Sequence, residues 1–156
     1  MKHIVFDCDG TLLDTSLTQY ELFHGIKELL IELSREHALY VWTARGRTST
    51  LRVLQECGVL PLFQGISTPD NSPSKPHTGG LMGLLGDTPK SSICVIGDST
   101  NDIIGAKSFG VLAIGAIWNT EAKVELLKDF GADFIVSHPS ECSKIIQLKL
   151  KGDDDV

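Results

Sequence analysis

Apolar positions along the chain follow two alternating rhythms. Unbroken runs at Ile4-Val5-Phe6, Ala38-Leu39-Tyr40-Val41-Trp42, Ser92-Ile93-Cys94-Val95-Ile96, Leu112 to Ile117 and Phe134-Ile135-Val136 predict strands buried on both faces. Between them, Leu22, Ile26, Leu29, Leu30 and Leu33 recur at helical spacing, as do Leu51, Leu54 and Cys57 ahead of Gly58. Leu81, Met82, Leu84 and Leu85 predict a short helix ended by Gly86. Another helix starts from a Ser99 or Thr100 cap and closes at Gly110. A short strand is expected near Phe63 to Ile66, a helix over Glu121 to Phe130 and a terminal helix to about Leu148. The segment Thr68 to Ser74, with two prolines, reads as a loop. Such alternation predicts an α/β protein of three αβα layers with a mainly parallel central sheet. It is expected to form a single domain over residues 1–150, followed by an acidic tail at 151–156, with no internal repeat.

Composition narrows the partners. With 42% hydrophobic and 22% charged residues among 156, the chain has the balance of a globular protein able to bury a core. The formal net charge of -6 argues against nucleic acid or an anionic membrane as a general partner. An anionic ligand would need local positive charge from a metal, a lysine or helix N-termini. Cys8, Cys57, Cys94 and Cys142 are scattered without a Cys-x-x-Cys pair, which fits reduced thiols. No stretch approaches the roughly 20 apolar residues of a membrane span, and the first strand lacks the character of a signal peptide. The expected location is therefore the cytoplasm.

Candidate chemistry gathers at strand ends, where open parallel sheets bind ligands. The first strand runs into Asp7-Cys8-Asp9, the second into Thr43, and the strand at Ile93 into Asp98, with Asp102 one helical turn further on. Burying an uncompensated carboxylate costs several kcal/mol, so the first pair calls for a cation, and Mg2+ prefers such oxygen ligands. Asp9-Gly10 also fits a plain strand-closing turn. Lys75 lies just ahead of the helix expected at Leu81 to Leu85. Together these residues supply the parts of phosphoryl transfer: a nucleophile, a proton donor, a metal site and groups that hold phosphate.

Asp7-x-Asp9-Gly10-Thr11-Leu12-x-Asp14, Thr43, Lys75-Pro76 and Gly97-Asp98-Ser99-x-Asn101-Asp102 resemble, in order, the four motifs of the haloacid dehalogenase (HAD) superfamily. The chain is most similar to the phosphoglycolate-phosphatase-type branch, a likeness that extends through Gly131-Ala132-Asp133-Phe134 and Pro139-Ser140-Glu141. The resemblance implies a Rossmann-like HAD core acting as a Mg2+-dependent phosphomonoester hydrolase. Asp7 would be the nucleophile, forming an aspartyl-phosphate. Asp9 would be the general acid and then base, with its carboxyl protonated in the resting complex. Asp7, Asp98 and the backbone carbonyl of Asp9 would hold Mg2+. Thr43, beside Ala44, would hydrogen-bond a phosphoryl oxygen and Lys75 would neutralise another. Asp102 would orient Lys75 or a metal-bound water. Taken singly, Thr43 also reads as a capping hydroxyl, Lys75 as a solvated loop cation and Asp102 as a helix-start acid.

The spacing of the motifs leaves no room for a cap domain, either after Asp14 or between Thr43 and Lys75, so a capless or minimal-cap member is expected. Water exclusion and leaving-group recognition then fall to a large substrate, to a neighbouring subunit in a homo-oligomer, or to local side chains. Arg45 and Arg47 suit a second phosphate or carboxylate, and equally a solvated helix start. Gln19, Tyr20, His24 and Asn71 are further candidates near the site. His24 and His77 also read as packed or exposed histidines, Asp14 as a turn residue, Cys8 as core filler and Trp42 as packing beneath a helix. A phosphotransferase or mutase using the same intermediate, and a non-catalytic binding or regulatory module, are the alternative functions.

Overall fold

The computed structural model describes residues 1–152. Of the expected acidic tail, residues 153–156 lie outside the described residues. The strands are β1 (His3–Phe6), β2 (Leu13–Asp14), β3 (Glu21–Leu22), β4 (Ala38–Trp42), β5 (Gly65–Ser67), β6 (Ile93–Gly97), β7 (Leu112–Ala116) and β8 (Phe134–Val136). The helices are α1 (Ile26–Ser34), α2 (Arg47–Glu56), α3 (Gly79–Leu85), α4 (Thr100–Phe109), α5 (Val124–Asp129) and α6 (Glu141–Lys149).

Six strands form one sheet in the order β5-β4-β1-β6-β7-β8, every neighbouring pair parallel. Val5 of β1 pairs with Tyr40 on one side and Val95 on the other, so β1 is central and hydrogen-bonded along both edges. Strand side chains alternate between faces. Ile4, Phe6, Leu39, Val41, Cys94 and Ile96 join a core with α1, α2 and α6. Val5, Tyr40, Trp42, Ile93 and Val95 pack on the other side against α3, α4 and α5. Two-sided burial explains why the strands read as continuous apolar runs rather than alternating ones. The chain builds outward from β1 through β4 to β5, then returns to β6 and builds outward the other way. The order therefore reverses at the β1–β6 crevice, where ligands bind in such sheets.

Three elements differ from the expected pattern. Leu22 shares helical spacing with Ile26, yet it lies in β3, which pairs with β2 as an antiparallel hairpin (Leu13↔Leu22, Asp14↔Glu21). Gly25, at φ 88°, separates it from α1 in a left-handed conformation suited to glycine. The strand expected from Phe63 begins at Gly65, because a 3-10 turn over Leu60–Leu62 precedes it. The helix expected from Glu121 starts at Val124, since Asn119 to Ala122 close a turn of their own. Among the described residues, only the β2–β3 hairpin stands between the start of the first motif and α1, and only α2, the 3-10 turn, β5 and connecting loops between β4 and Lys75. Neither interval carries a cap.

Candidate active site

Asp7 leaves the end of β1 with its backbone N–H bonded to the Ile96 carbonyl, which fixes it at the mouth of the crevice. Lys75 reaches the same point from the loop before α3. Its ammonium donates to Asp7 Oδ1 at 2.8 Å and to Asp102 Oδ1 at 2.6 Å, and all three side chains are nearly or wholly buried. Asp102 accepts at Oδ2 from the Ser99 N–H (3.1 Å) and hydroxyl (2.9 Å), part of a capping box in the first turn of α4. Beneath Lys75 lies the Trp42 ring, 4.9 Å from the ammonium. Gly80 and Gly105 make room for that ring, since a Cβ at either position would collide with it.

Burial pushes the Asp7 carboxyl up to about 7; Lys75 opposes the shift and neighbouring Asp98 adds to it. Burial also pushes Asp102 up to about 6, assisted by Asp7 and opposed by Lys75. For Lys75, burial favours the neutral amine, but Asp102 and Asp7 outweigh it and its pKa is raised.

Asp98 follows β6 on the opposite lip. Its Oδ1 accepts from the Thr11 hydroxyl at 3.2 Å and its Oδ2 from Asn119 Nδ2 at 2.9 Å. The Thr11 hydroxyl also lies 3.4 Å from Asp7 Oδ2, so one proton serves two carboxylates. Gly10 is required here twice over: its φ is 84°, and a Cβ would fall on the Asp98 carboxylate. Oxygens of Asp7, Asp98 and Asp102 all lie within 4.8 Å of one another, three carboxylates against the single ammonium of Lys75. That charge imbalance and an all-oxygen donor set fit a hard divalent cation such as Mg2+. Lys75 and the helix cap engage Asp102, which leaves Asp7 and Asp98 better placed as ligands.

Asp9 faces the same opening with its side chain 44% exposed, and accepts at Oδ1 from Arg45 Nε at 2.9 Å. Arg45 is braced from two sides, by Ser49 Oγ at 2.6 Å and by the Tyr20 ring at 5.2 Å. Thr43, buried at the end of β4, accepts the Arg45 N–H at Oγ1 (3.0 Å), so its own proton is available to a ligand. These groups enclose a cavity of about 310 Å³ lined by Asp7, Asp9, Asp98 and Lys75 together with Thr43, Ala44 and Arg45. Ser99 and Asn101, at the start of α4, complete its wall.

Residues 16–116 match the family model described as haloacid dehalogenase-like hydrolase. The chain belongs to that family. Within it, the phosphoglycolate-phosphatase-like branch is the one matched. The phosphoglycolate phosphatase of Caulobacter vibrioides is 30% identical over 120 residues, covering 73% of this chain and 49% of that protein. The N-acetylmuramic acid 6-phosphate phosphatase of Pseudomonas putida is 25% identical over 136 residues, covering 85% and 61%. The HAD chain thus spans about half to three fifths of the length of these curated relatives. A haloacid dehalogenase-like family hydrolase from Streptococcus pneumoniae shares the fold, with a TM-score of 0.82 at 21% identity, covering 94% of this chain and 99% of the other.

Not every expected residue of this HAD chain reaches the cavity. Arg47 bonds through its backbone N–H to Asp70 Oδ1 (3.0 Å), and its exposed guanidinium rests 3.4 Å from the Ile66 carbonyl, away from the cavity wall. His24 packs edge-on against His138, ring centroids 6.0 Å apart. His77 Nδ1 accepts the Gly79 N–H, and Asn71 Oδ1 the Thr68 N–H. Cys8 is fully buried in the core beside Ile4 and Phe6. Conversely, Thr11 and Asn119, which no charge or spacing singles out, bond the site's carboxylates. Thr11 was inside the first motif, and Asn119 lies just past β7 as Asp98 lies just past β6.

Proposed function

We propose that this HAD chain hydrolyses phosphomonoesters through an aspartyl-phosphate on Asp7, with Asp9 as general acid and base. The observation that carries this reading is the placement of Asp7 against Lys75, with Asp9 facing the same cavity. An Asp7 oxygen attacks phosphorus as the bond to the leaving oxygen breaks, and Asp9 delivers its proton to that oxygen. The ionised Asp9 then takes a proton from water. That water attacks the phosphorus of the aspartyl-phosphate, the bond to Asp7 breaks and phosphate is released. Asp9 Oδ1 is held by Arg45, which leaves Oδ2 to carry the proton. Lys75 balances charge on Asp7 and on the phosphoryl group, and the Thr43 hydroxyl donates to a phosphoryl oxygen. Asp102 positions Lys75. Asp7, Asp98 and the backbone carbonyl of Asp9 would hold Mg2+, which when bound supplies positive charge offsetting repulsion between Asp7 and the phosphate.

The absence of a cap supports hydrolysis over transfer, because water reaches an open site. The test is turnover of a phosphomonoester panel, including a generic aryl phosphate, with Mg2+ and with EDTA. Activity lost with EDTA and in Asp7→Asn and Asp9→Asn supports the hydrolase. A folded, Mg2+-loaded protein that turns over nothing points instead to a binding module. Aryl alcohol released faster than phosphate in the presence of an acceptor alcohol points to a phosphotransferase.

A further inference from the structure

Two carboxylates of the site each have one oxygen taken by a nitrogen donor. Asp7 Oδ1 is held by the Lys75 ammonium at 2.8 Å, and Asp98 Oδ2 by the Asn119 amide nitrogen at 2.9 Å. The other two oxygens, Asp7 Oδ2 and Asp98 Oδ1, both lie by the Thr11 hydroxyl, at 3.4 and 3.2 Å. They are therefore gathered around one point. Asn119 is itself held in a single orientation. Its Oδ1 accepts the Glu121 N–H at 3.0 Å, which fixes the amide with its donor toward Asp98. Neighbouring Trp118 donates its Nε1–H to the Thr11 carbonyl at 2.9 Å, tying the segment after β7 to the loop after β1. A Cβ at Gly10 would strike the Asp98 carboxylate and the Asn119 amide together, so the pair is packed directly against backbone.

We propose that Asn119 is a positioning residue that sets which cation the site selects: by occupying Asp98 Oδ2 it leaves Asp98 a one-oxygen ligand and favours Mg2+ over Ca2+. This rests on the metal-assisted reading above. The reason lies in the coordination habits of the two ions. Mg2+ demands near-ideal octahedral order at short range, whereas Ca2+ takes about six to eight oxygens and accepts both oxygens of one carboxylate. With Oδ2 already accepting a hydrogen bond, Asp98 can give Oδ1 to Mg2+ and lose nothing. To clasp Ca2+ with both oxygens it must break that bond. The same bond restrains rotation of the carboxylate, and supports of this kind are worth about 10–100-fold in metal affinity. Asn119 is uncharged, so it adjusts geometry and leaves the balance of three carboxylates against one ammonium as it was.

The test follows the Tm of metal-free protein as MgCl2 or CaCl2 is added, and takes a Kd for each cation. Wild type is compared with Asn119→Ala and Asn119→Leu, made separately in case one fails to fold; the leucine keeps the bulk of the amide without its donor. Both variants should weaken Mg2+ binding about tenfold and leave Ca2+ within about twofold, so that the preference for Mg2+ falls. An equal loss for both cations, or none for either, overturns the assignment. So does a variant whose metal-free Tm drops while the ratio of the two Kd values stays that of wild type, since Asn119 would then be structural only. A wild type that binds neither cation overturns this inference together with the metal site. Cation binding is read without turnover, so failure of the hydrolase reading shows separately, in the ester panel.

Discussion

Lys75 carries opposite obligations to its two neighbours. It compensates Asp102, which has no exposure at all, and it holds Asp7, the proposed nucleophile. Removing one partner of a buried ion pair leaves an uncompensated charge and costs about 3–5 kcal/mol. Lys75→Ala should therefore abolish turnover and also lower the urea midpoint by the equivalent of about 3 kcal/mol. Asp7→Asn should abolish turnover with stability kept or raised, because it removes a carboxylate whose burial is already unfavourable. Activity and unfolding measurements on the same two preparations check the pair. Equal destabilisation by both substitutions would contradict the charge assignment. Lys75→Arg should not rescue activity, since the wider guanidinium does not fit a site built around a compact ammonium above Trp42.

At the scale of elements, α4 contains a glycine where a helix normally gains about 1 kcal/mol from alanine. Gly105 is there because Trp42 of β4 passes so closely that a Cβ would strike its ring. Gly105→Ala should therefore destabilise, by about 1–3 kcal/mol through overpacking, and should lower turnover by displacing the ring on which Lys75 rests. Equilibrium denaturation combined with kcat reads both effects, and a stabilised variant would show that the ring yields freely. The strands and most helices of this layer were legible from apolar spacing, and Asp7 and Asp98 from the strand ends they follow, because strand-end carboxylates in a buried sheet have few structural uses; Lys75, in a loop, stands out only through the four-motif resemblance. The hairpin was not legible. Leu13 and Leu22 pair across eight intervening residues, and Leu22 stands four residues before Ile26, in step with the helical row, so spacing alone carries the helix across Gly25. Asn119 and Ser49 were missed for a related reason: their partners, Asp98 and Arg45, are fixed by tertiary approach rather than by spacing. Of the two readings open for Arg47, a ligand contact or a solvated helix start, its exposed place at the start of α2 matches the second, and sequence cannot separate it from Arg45 until Asp70 orients its backbone.

Across the whole molecule, proton binding and the proposed metal binding are linked to folding through the same carboxylates. Both Asp7 and Asp102 have folded pKa values above the ordinary 3.8, about 7 and about 6 respectively. Between pH 4 and 7 the folded protein therefore binds more protons than the unfolded chain, so this contribution to stability declines as pH rises through that window. Each pKa unit corresponds to about 1.4 kcal/mol, which makes the effect a few kcal/mol when the pair is taken together. Lys75 does not reverse it: its pKa is raised above 10.5, so its contribution is intact throughout this range and fades only in strong alkali. A divalent cation at Asp7 and Asp98 competes with the proton on Asp7, and its stabilisation grows as that proton leaves. At about 100 times its dissociation constant a ligand adds about 2.7 kcal/mol, worth roughly 5–10 °C in Tm for a chain of this size. Thermal unfolding in EDTA should thus show a lower Tm at pH 7.5 than at pH 5. Added Mg2+ should raise Tm by several degrees at pH 7.5 and by much less at pH 5. A magnesium effect of the same size at both pH values would mean that the cation binds somewhere other than Asp7.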